Sequence, residues 1–280
     1  MFGRDILFHL ERWKADTHRK PLILRGARQV GKTTVVNEFG RQFDNYLSLN
    51  LEKQEALALF ELAVPLKDLM PLFFAHCGKI RKEGSTLIFI DEIQNSAKAV
   101  SLLRYFYEEL PDIYVIAAGS LLENLIDVHA SFPVGRVQYM ALRPCSFREF
   151  LGAVEEEALL SVLDRPEVTI AFHERLMLLF NVYTLIGGMP EVVQLYAERR
   201  DILSLESTYE TLLQGYRDDV EKYVQGRLLP EVVRFILKEG WHKAGQAVTL
   251  GGFAGSSYNV REVGEAFRLL EKAMLLELVY

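Results

Sequence analysis

Only two cysteines occur in the 280 residues, Cys77 and Cys145, far apart in the chain. That pattern argues against a disulfide framework and a thiolate metal site, and both are expected as small buried hydrophobes of a reducing compartment. The six histidines show no metal-ligand spacing either. Long uncharged runs are missing as well, and none approaches the roughly 20 residues that a membrane-spanning helix needs. Residues 1–20 carry Arg4, Asp5, Glu11, Arg12, Lys14 and Asp16, which excludes a signal peptide. A soluble cytoplasmic protein is therefore expected. Positive charge is not in excess: the formal net charge is -6 and the pI is near 5.6, so the whole molecule has no electrostatic attraction for nucleic acid or an anionic membrane. Internal repeats and low-complexity tracts are absent. Hydrophobic residues are plentiful at 50%, enough to bury a full core and to fill two or three domains.

Gly26-Ala27-Arg28-Gln29-Val30-Gly31-Lys32-Thr33 fits the Walker A pattern G-x-x-x-x-G-K-[ST] without a mismatch. The apolar run Pro21–Leu24 precedes it and the helix-compatible stretch Thr34–Phe39 follows, the strand–loop–helix context that distinguishes a phosphate cradle from a chance match. Each position has its chemistry. Gly26 and Gly31 let the backbone curl so that successive N–H groups face an anion. The helix behind them adds its positive N-terminal end. Lys32 supplies a point charge between the terminal phosphates, the Thr33 hydroxyl is a ligand for Mg2+, and Thr34 is placed to donate to an inner phosphate.

The first half of the chain alternates short apolar runs with helical patterns, which predicts a parallel sheet with crossover helices. Strands are expected at 22–24, 46–49, 86–90 and 114–118, with a further short one at 137–142. Helices are expected at 57–62, 67–80 and 96–110. After Pro144 the texture changes. Ser146 and Glu149 have capping-box spacing, and only helical patterns follow, broken by Pro166 and by Gly187-Gly188-Met189-Pro190, a tight turn or hinge. From Gln225 onward come helices at about 230–239 and 260–273, the latter opened by Asn259 and Glu262 in capping spacing, and an apolar strand-like run at 275–280. The expected division is a P-loop ATPase core at 1–145, a helical lid at 146–224 and a winged-helix-like domain at 225–280. Because chain ends are normally polar, the apolar last residues suggest that the natural protein continues.

Leu87-Ile88-Phe89-Ile90-Asp91-Glu92 reads as a Walker B strand, apolar on both faces and ending in two acids at the carboxyl edge of the sheet. Asp91 is expected to hold Mg2+ through water, and Glu92 to orient or deprotonate the attacking water. A carboxylate directly after the Walker B Asp separates hydrolytic ATPases from most small-molecule kinases and Ras-like GTPases, and no acceptor site for a nucleotide kinase is visible. The next strand, Tyr114–Ala118, leads to Gly119-Ser120. Ser120 is the candidate sensor of the γ-phosphate, against the plainer reading of a Gly-Ser loop start. Arg136 is a candidate for transition-state charge, in cis or from a neighbouring subunit, against an ordinary salt-bridge role. Asp218 and Lys222 stand at i,i+4 and read as a solvated helix face.

The strings Pro21–Thr33, Phe89-Ile90-Asp91-Glu92-Ile93-Gln94, Gly119-Ser120, Gly135-Arg136, Leu142–Phe150, Gly187–Glu191 and Tyr216–Tyr223 together resemble a large prokaryotic family of AAA-like P-loop ATPases. This family is similar to the archaeal-type branch of the signalling (STAND-like) ATPases. The resemblance covers nearly the whole chain. It implies an AAA core, a helical region and a winged helix, with ATP as ligand; many members carry a further nuclease-like C-terminal domain, before which this chain stops.

The leading expectation is thus an enzyme, an ATPase that hydrolyses ATP slowly with Mg2+ as a conformational switch. The alternative is an ATP-dependent nucleic-acid-binding module acting through the winged helix. Charge disfavours it: residues 225–280 carry seven basic side chains against six acidic ones. A protein partner or self-association is the expected interaction, with no membrane.

Overall fold

The computed structural model describes residues 2–119, 133, 135–163, 169–223 and 228–279, the side chains of 219–223 excepted. The chain falls into two units, Met1–Gln194 and Leu195–Tyr280.

Five parallel strands form the sheet of the first unit: β1 (Leu22–Arg25), β2 (Asn45–Asn50), β3 (Thr86–Asp91), β4 (Ile113–Gly119) and β5 (Gln138–Ala141), in the spatial order β2-β3-β4-β1-β5. β3 is buried at all six positions, as its unbroken apolar run demands of a strand covered on both faces. Alternate residues feed two cores. Ile23, Leu47, Leu49, Ile88, Ile90, Val115 and Ala117 pack with Phe60, Phe73 and Phe106 of α3 (Gln54–Glu61), α4 (Leu66–His76) and α5 (Ala97–Glu109). On the other face, Trp13 of α1 (Ile6–Ala15) lies 6.4 Å from Phe39 of α2 (Lys32–Gly40) and 5.9 Å from Tyr114, ring centre to ring centre. All five expected strands are present, within a residue or so of their expected ends. The fold is a parallel α/β P-loop core followed by a helical C-terminal region.

The helices α6 (Phe147–Ala153), α7 (Glu157–Leu163), α8 (Ile170–Ile186) and α9 (Pro190–Arg199) follow. Ser146 and Glu149 form the expected capping box, side chain to backbone in both directions. Gly187, at φ 70°, ends α8, and Pro190 opens α9, so Gly187–Pro190 is a turn between helices.

The second unit contains α10 (Glu206–Tyr223), α11 (Leu228–Glu239) and α12 (Val260–Lys272). Val232, Val233, Ile236, Phe253, Val263, Ala266, Phe267 and Leu270 make its core, and Asn259 caps α12 with Glu262 as expected. The strand expected at 275–280 is not there. Residues 275–279 run irregularly, Leu275, Leu276 and Leu278 rest against the same core, and the Leu278 N–H donates to Glu271 Oε1 at 3.0 Å. Apolar residues there serve packing, whereas a strand needs a partner, and none exists among the described residues of this unit. The wing of a winged helix is accordingly not seen among them. No described helix is long and apolar enough to cross a membrane.

Candidate functional site

The loop between β1 and α2 begins where a side chain has no room. A Cβ on Gly26 would stand 2.4 Å from the Leu142 carbonyl oxygen and 2.9 Å from Val30 Cγ2. Gln29, at φ 64°, and Gly31, at φ 91°, both take left-handed conformations that curl the chain before α2, and no side chain caps that helix. Lys32 is buried, and its Nζ donates to the carbonyls of Gly26 and Ala27 at 2.8 and 2.9 Å, so the ammonium spans the loop's mouth. Thr33 and Thr34 sit exposed in the first turn of α2.

β3 brings Asp91 to the same place. Thr33 Oγ1 donates to Asp91 Oδ2 at 2.7 Å, and the other oxygen, Oδ1, accepts from the Glu92 N–H at 3.1 Å. Glu92 has φ 53° and ψ 43°, the left-handed region that a side chain seldom adopts. Gln94 Nε2 donates to Glu92 Oε2, while Gln94 Oε1 is buried without a hydrogen-bond partner. Burial pushes the Asp91 carboxyl above its ordinary range, against the pull of the Thr33 hydroxyl. Burial likewise raises Glu92, helped by the neighbouring Asp91 charge and opposed by the Gln94 amide.

This donor set fits a nucleotide phosphate with a magnesium ion. A hydroxyl and a carboxylate 2.7 Å apart offer hard oxygen ligands, and the two acids would shed their desolvation cost against a cation. No group of three or more His, Cys, Asp or Glu that could cage a metal occurs among the described residues, so an ion here would complete its shell with oxygens from outside the protein, of water or phosphate.

Behind the loop sits a buried bracket. Arg4 Nε meets Glu149 Oε1 at 2.9 Å with both side chains 6% exposed, Arg4 Nη1 donates to the Val30 carbonyl at 3.1 Å, and Arg4 Nη2 donates to the Arg143 carbonyl at 2.8 Å. Nearby, the Cys145 N–H donates to the Gly188 carbonyl at 2.6 Å and Tyr183 Oη donates to the Cys145 carbonyl at 2.7 Å, which pins the turn after α8 onto the segment before α6. A Cβ on Gly31 would meet Pro190 Cγ at 3.9 Å, so the start of α9 borders the loop.

The candidates thus divide. Gly26 through Thr34, Asp91 and Glu92 are brought together. Ser120 lies outside the described residues, one position beyond the end of β4. Arg136 is not brought to the cradle. It precedes β5, whose Gln138 pairs with Leu22 at the start of β1, whereas the loop follows Arg25 at the end of β1. Four residues of strand, about 13 Å, separate the two edges, and Arg136 Nε pairs with Glu108 Oε1 at 3.0 Å. Arg136 thus stands in a surface ion pair at the opposite edge, which favours the salt-bridge reading over a role in cis. Among the remaining readings, Cys145 is buried as expected, its thiol pushed up to about 12 by desolvation, but Cys77 is only half-buried. Asp218 accepts from Gln214 Nε2 at 2.7 Å, and the Lys222 side chain lies outside those described.

Sequence reasoning missed Gln94 and Arg4. The Glu149 capping spacing marked a helix start and gave no sign of an ionic partner 145 residues away.

Residues 18–151 match the family model of an AAA domain, and residues 177–280 match that of a domain of unknown function. No curated protein matches the sequence. The chain's fold is similar to that of the Walker-type ATPase of Pyrococcus abyssi, with a TM-score of 0.59 and 16% identity over 98% of this chain and 90% of that one. Drosophila ORC bound to DNA (TM-score 0.42, 18% identity, 98% and 81% covered) and Aeropyrum pernix ORC1 in complex with DNA (0.38, 15%, 100% and 80%) are more distant, too far to carry an argument. Residues 18–151 thus match the model of an AAA domain and carry a parallel α/β P-loop fold, and a helical C-terminal region follows them in this chain.

Proposed function

We propose that the protein binds ATP with Mg2+ between Lys32, Thr33 and Asp91 and hydrolyses it slowly, as a switch between two conformations. The observation that carries this reading is the 2.7 Å contact of Thr33 Oγ1 with Asp91 Oδ2 directly beside the Lys32-spanned loop. It supports the reading because a hydroxyl and a carboxylate at hydrogen-bond distance could both reach one metal ion.

In this reading the loop's N–H groups and Lys32 hold the phosphates, and Thr33 and Asp91 hold the ion, which when bound neutralises charge on the phosphate oxygens. Thr34, in the first turn of α2, lies within reach of an inner phosphate. Glu92 accepts the proton of the attacking water. Its burial raises its basicity toward the working pH, which suits a general base better than an ordinary solvated carboxylate. Gln94 holds one oxygen of Glu92, leaving the other for water. Ser120, next in sequence after the strand neighbouring β1, is the proposed γ-phosphate sensor. An arginine for the transition state would have to come from elsewhere; Arg136 serves only if its edge meets another copy.

We further propose a functional division into a core at 1–145, a lid at 146–224 and a C-terminal domain at 225–280 that meets a protein partner. A nucleotide kinase is disfavoured because Glu92 directly follows the metal-binding acid.

Steady-state phosphate release with Mg-ATP tests the chemistry. Glu92→Gln keeps shape but cannot accept a proton, so nucleotide affinity is expected within a few-fold of the parent while turnover drops about 10²- to 10⁴-fold. Equal turnover in the variant would remove Glu92 from the role of base.

A further inference from the structure

We infer that Arg4 is a positioning residue for the phosphate cradle, acting through the Val30 carbonyl and held in place by Glu149; this rests on the proposed nucleotide reading of the loop. The guanidinium is used on three separate nitrogens. Nε pairs with Glu149 Oε1 at 2.9 Å, Nη1 donates to Val30 O at 3.1 Å and Nη2 donates to Arg143 O at 2.8 Å. A planar, permanently charged fork is the one side chain that satisfies three acceptors in fixed directions.

The consequence for the cradle follows from peptide geometry. In a trans peptide the carbonyl and the next N–H point in opposite directions. Holding the Val30 carbonyl on Arg4 therefore turns the Gly31 N–H away from Arg4, to the other side of the loop. Gly31, at φ 91°, has no steric preference of its own to maintain that direction. Without the guanidinium the Val30–Gly31 peptide would be free to rotate, and one of the anion-facing donors would be lost for part of the time.

Glu149 is itself over-determined. Its Oε1 also accepts from the Asp5 N–H at 2.7 Å, and its Oε2 accepts from the Ser146 N–H at 2.8 Å in the capping box. The orientation of the cradle peptide is thus tied to the start of α6. That is a physical route by which phosphate at the loop and the position of the following helices bias one another.

The test compares the parent with Arg4→Lys and with Leu10→Ala. Lysine keeps the charge opposite Glu149 but offers one nitrogen where the arginine uses three. Leu10→Ala removes fully buried side-chain atoms of α1 and none of the bracket's hydrogen-bonding groups, and so reports what loss of stability alone does. Two readouts are taken on the intact protein: amide exchange of the loop peptides covering 26–33 without nucleotide, and titration with Mg-ATP. Arg4→Lys is expected to speed loop exchange at least about five-fold and to weaken Mg-ATP about ten-fold or more, with turnover at saturating ATP within two-fold. Leu10→Ala, even at an equal or larger loss of thermal midpoint, is expected to leave both loop exchange and affinity within two-fold. Loop exchange and affinity in Arg4→Lys within two-fold of the parent would overturn the inference, as would equal effects in Leu10→Ala. Faster loop exchange in Arg4→Lys alone, with no Mg-ATP binding by the parent, would sustain the positioning role and sink the ATP reading instead.

Discussion

Glu92 combines two costs at one residue. Its backbone is left-handed at φ 53°, a conformation worth about 1–3 kcal/mol of strain for a residue with a Cβ, and its carboxyl is disfavoured as an anion by burial. A carboxyl whose folded value is raised above its unfolded value loses nothing when both states are protonated. It destabilises the fold increasingly as pH rises through the ordinary value near 4.5 and on through the raised one. Glu92→Gln should therefore unfold at a higher temperature than the nucleotide-free parent at about pH 8, with the difference vanishing at about pH 4. Thermal scans of both proteins across that range check it; equal midpoints at the alkaline end would mean that the burial cost of Glu92 is not felt. Gln94 belongs to the same account, since its amide donates to Glu92.

Among the elements, the turn between α8 and α9 is the most tightly constrained. A Cβ on Gly188 would stand 2.3 Å from the Cys145 carbonyl oxygen and 3.0 Å from the Cys145 nitrogen, both backbone atoms that cannot swing aside. Gly188→Ala should cost about 1–3 kcal/mol, read as a lower denaturant midpoint at unchanged slope. An unshifted midpoint would show that the turn relaxes at no cost. In the sequence this turn was legible as punctuation, because Gly-Gly and Pro mark chain reversals wherever they fall. Its docking on Cys145 was not, because that contact joins segments more than forty residues apart. The same contrast runs through the whole site. The loop and Walker B acids could be read because local pattern specifies them: a glycine spacing, a helix start, an apolar run ending in carboxylates. Arg4 could not, since its meaning depends on Glu149 across the chain. Arg136 stayed open between a transition-state and a salt-bridge role because its neighbour Gly135 and the following strand say nothing about which edge of the sheet they occupy; the pairing of Gln138 with Leu22 decides that. The irregular path of 275–279 was misread as a strand because apolar, β-prone residues score alike whether they pair or merely pack.

For the whole molecule, charge sets the expectation for partners. The chain is acidic at -6, and α12 with its cap carries three basic and three acidic side chains. Phosphate neutralisation supplies most non-specific DNA affinity, so an electrically neutral helix in a C-terminal unit with no wing among its described residues offers little of it. Random duplex DNA is expected to bind weakly or not at all near physiological salt, with or without ATP, in a fluorescence-anisotropy titration; submicromolar, salt-sensitive binding would promote the nucleic-acid module over the protein-partner switch. The central claim, however, concerns the cradle, and calorimetric titration with Mg-ATP tests it most directly. The parent should bind one equivalent. Lys32→Ala, lacking the ammonium that spans Gly26 and Ala27, should lose about 10- to 100-fold in affinity, as expected for a charge-assisted contact to phosphate, with its fold intact by circular dichroism. Undiminished affinity in Lys32→Ala, or no heat with the parent, would contradict the account.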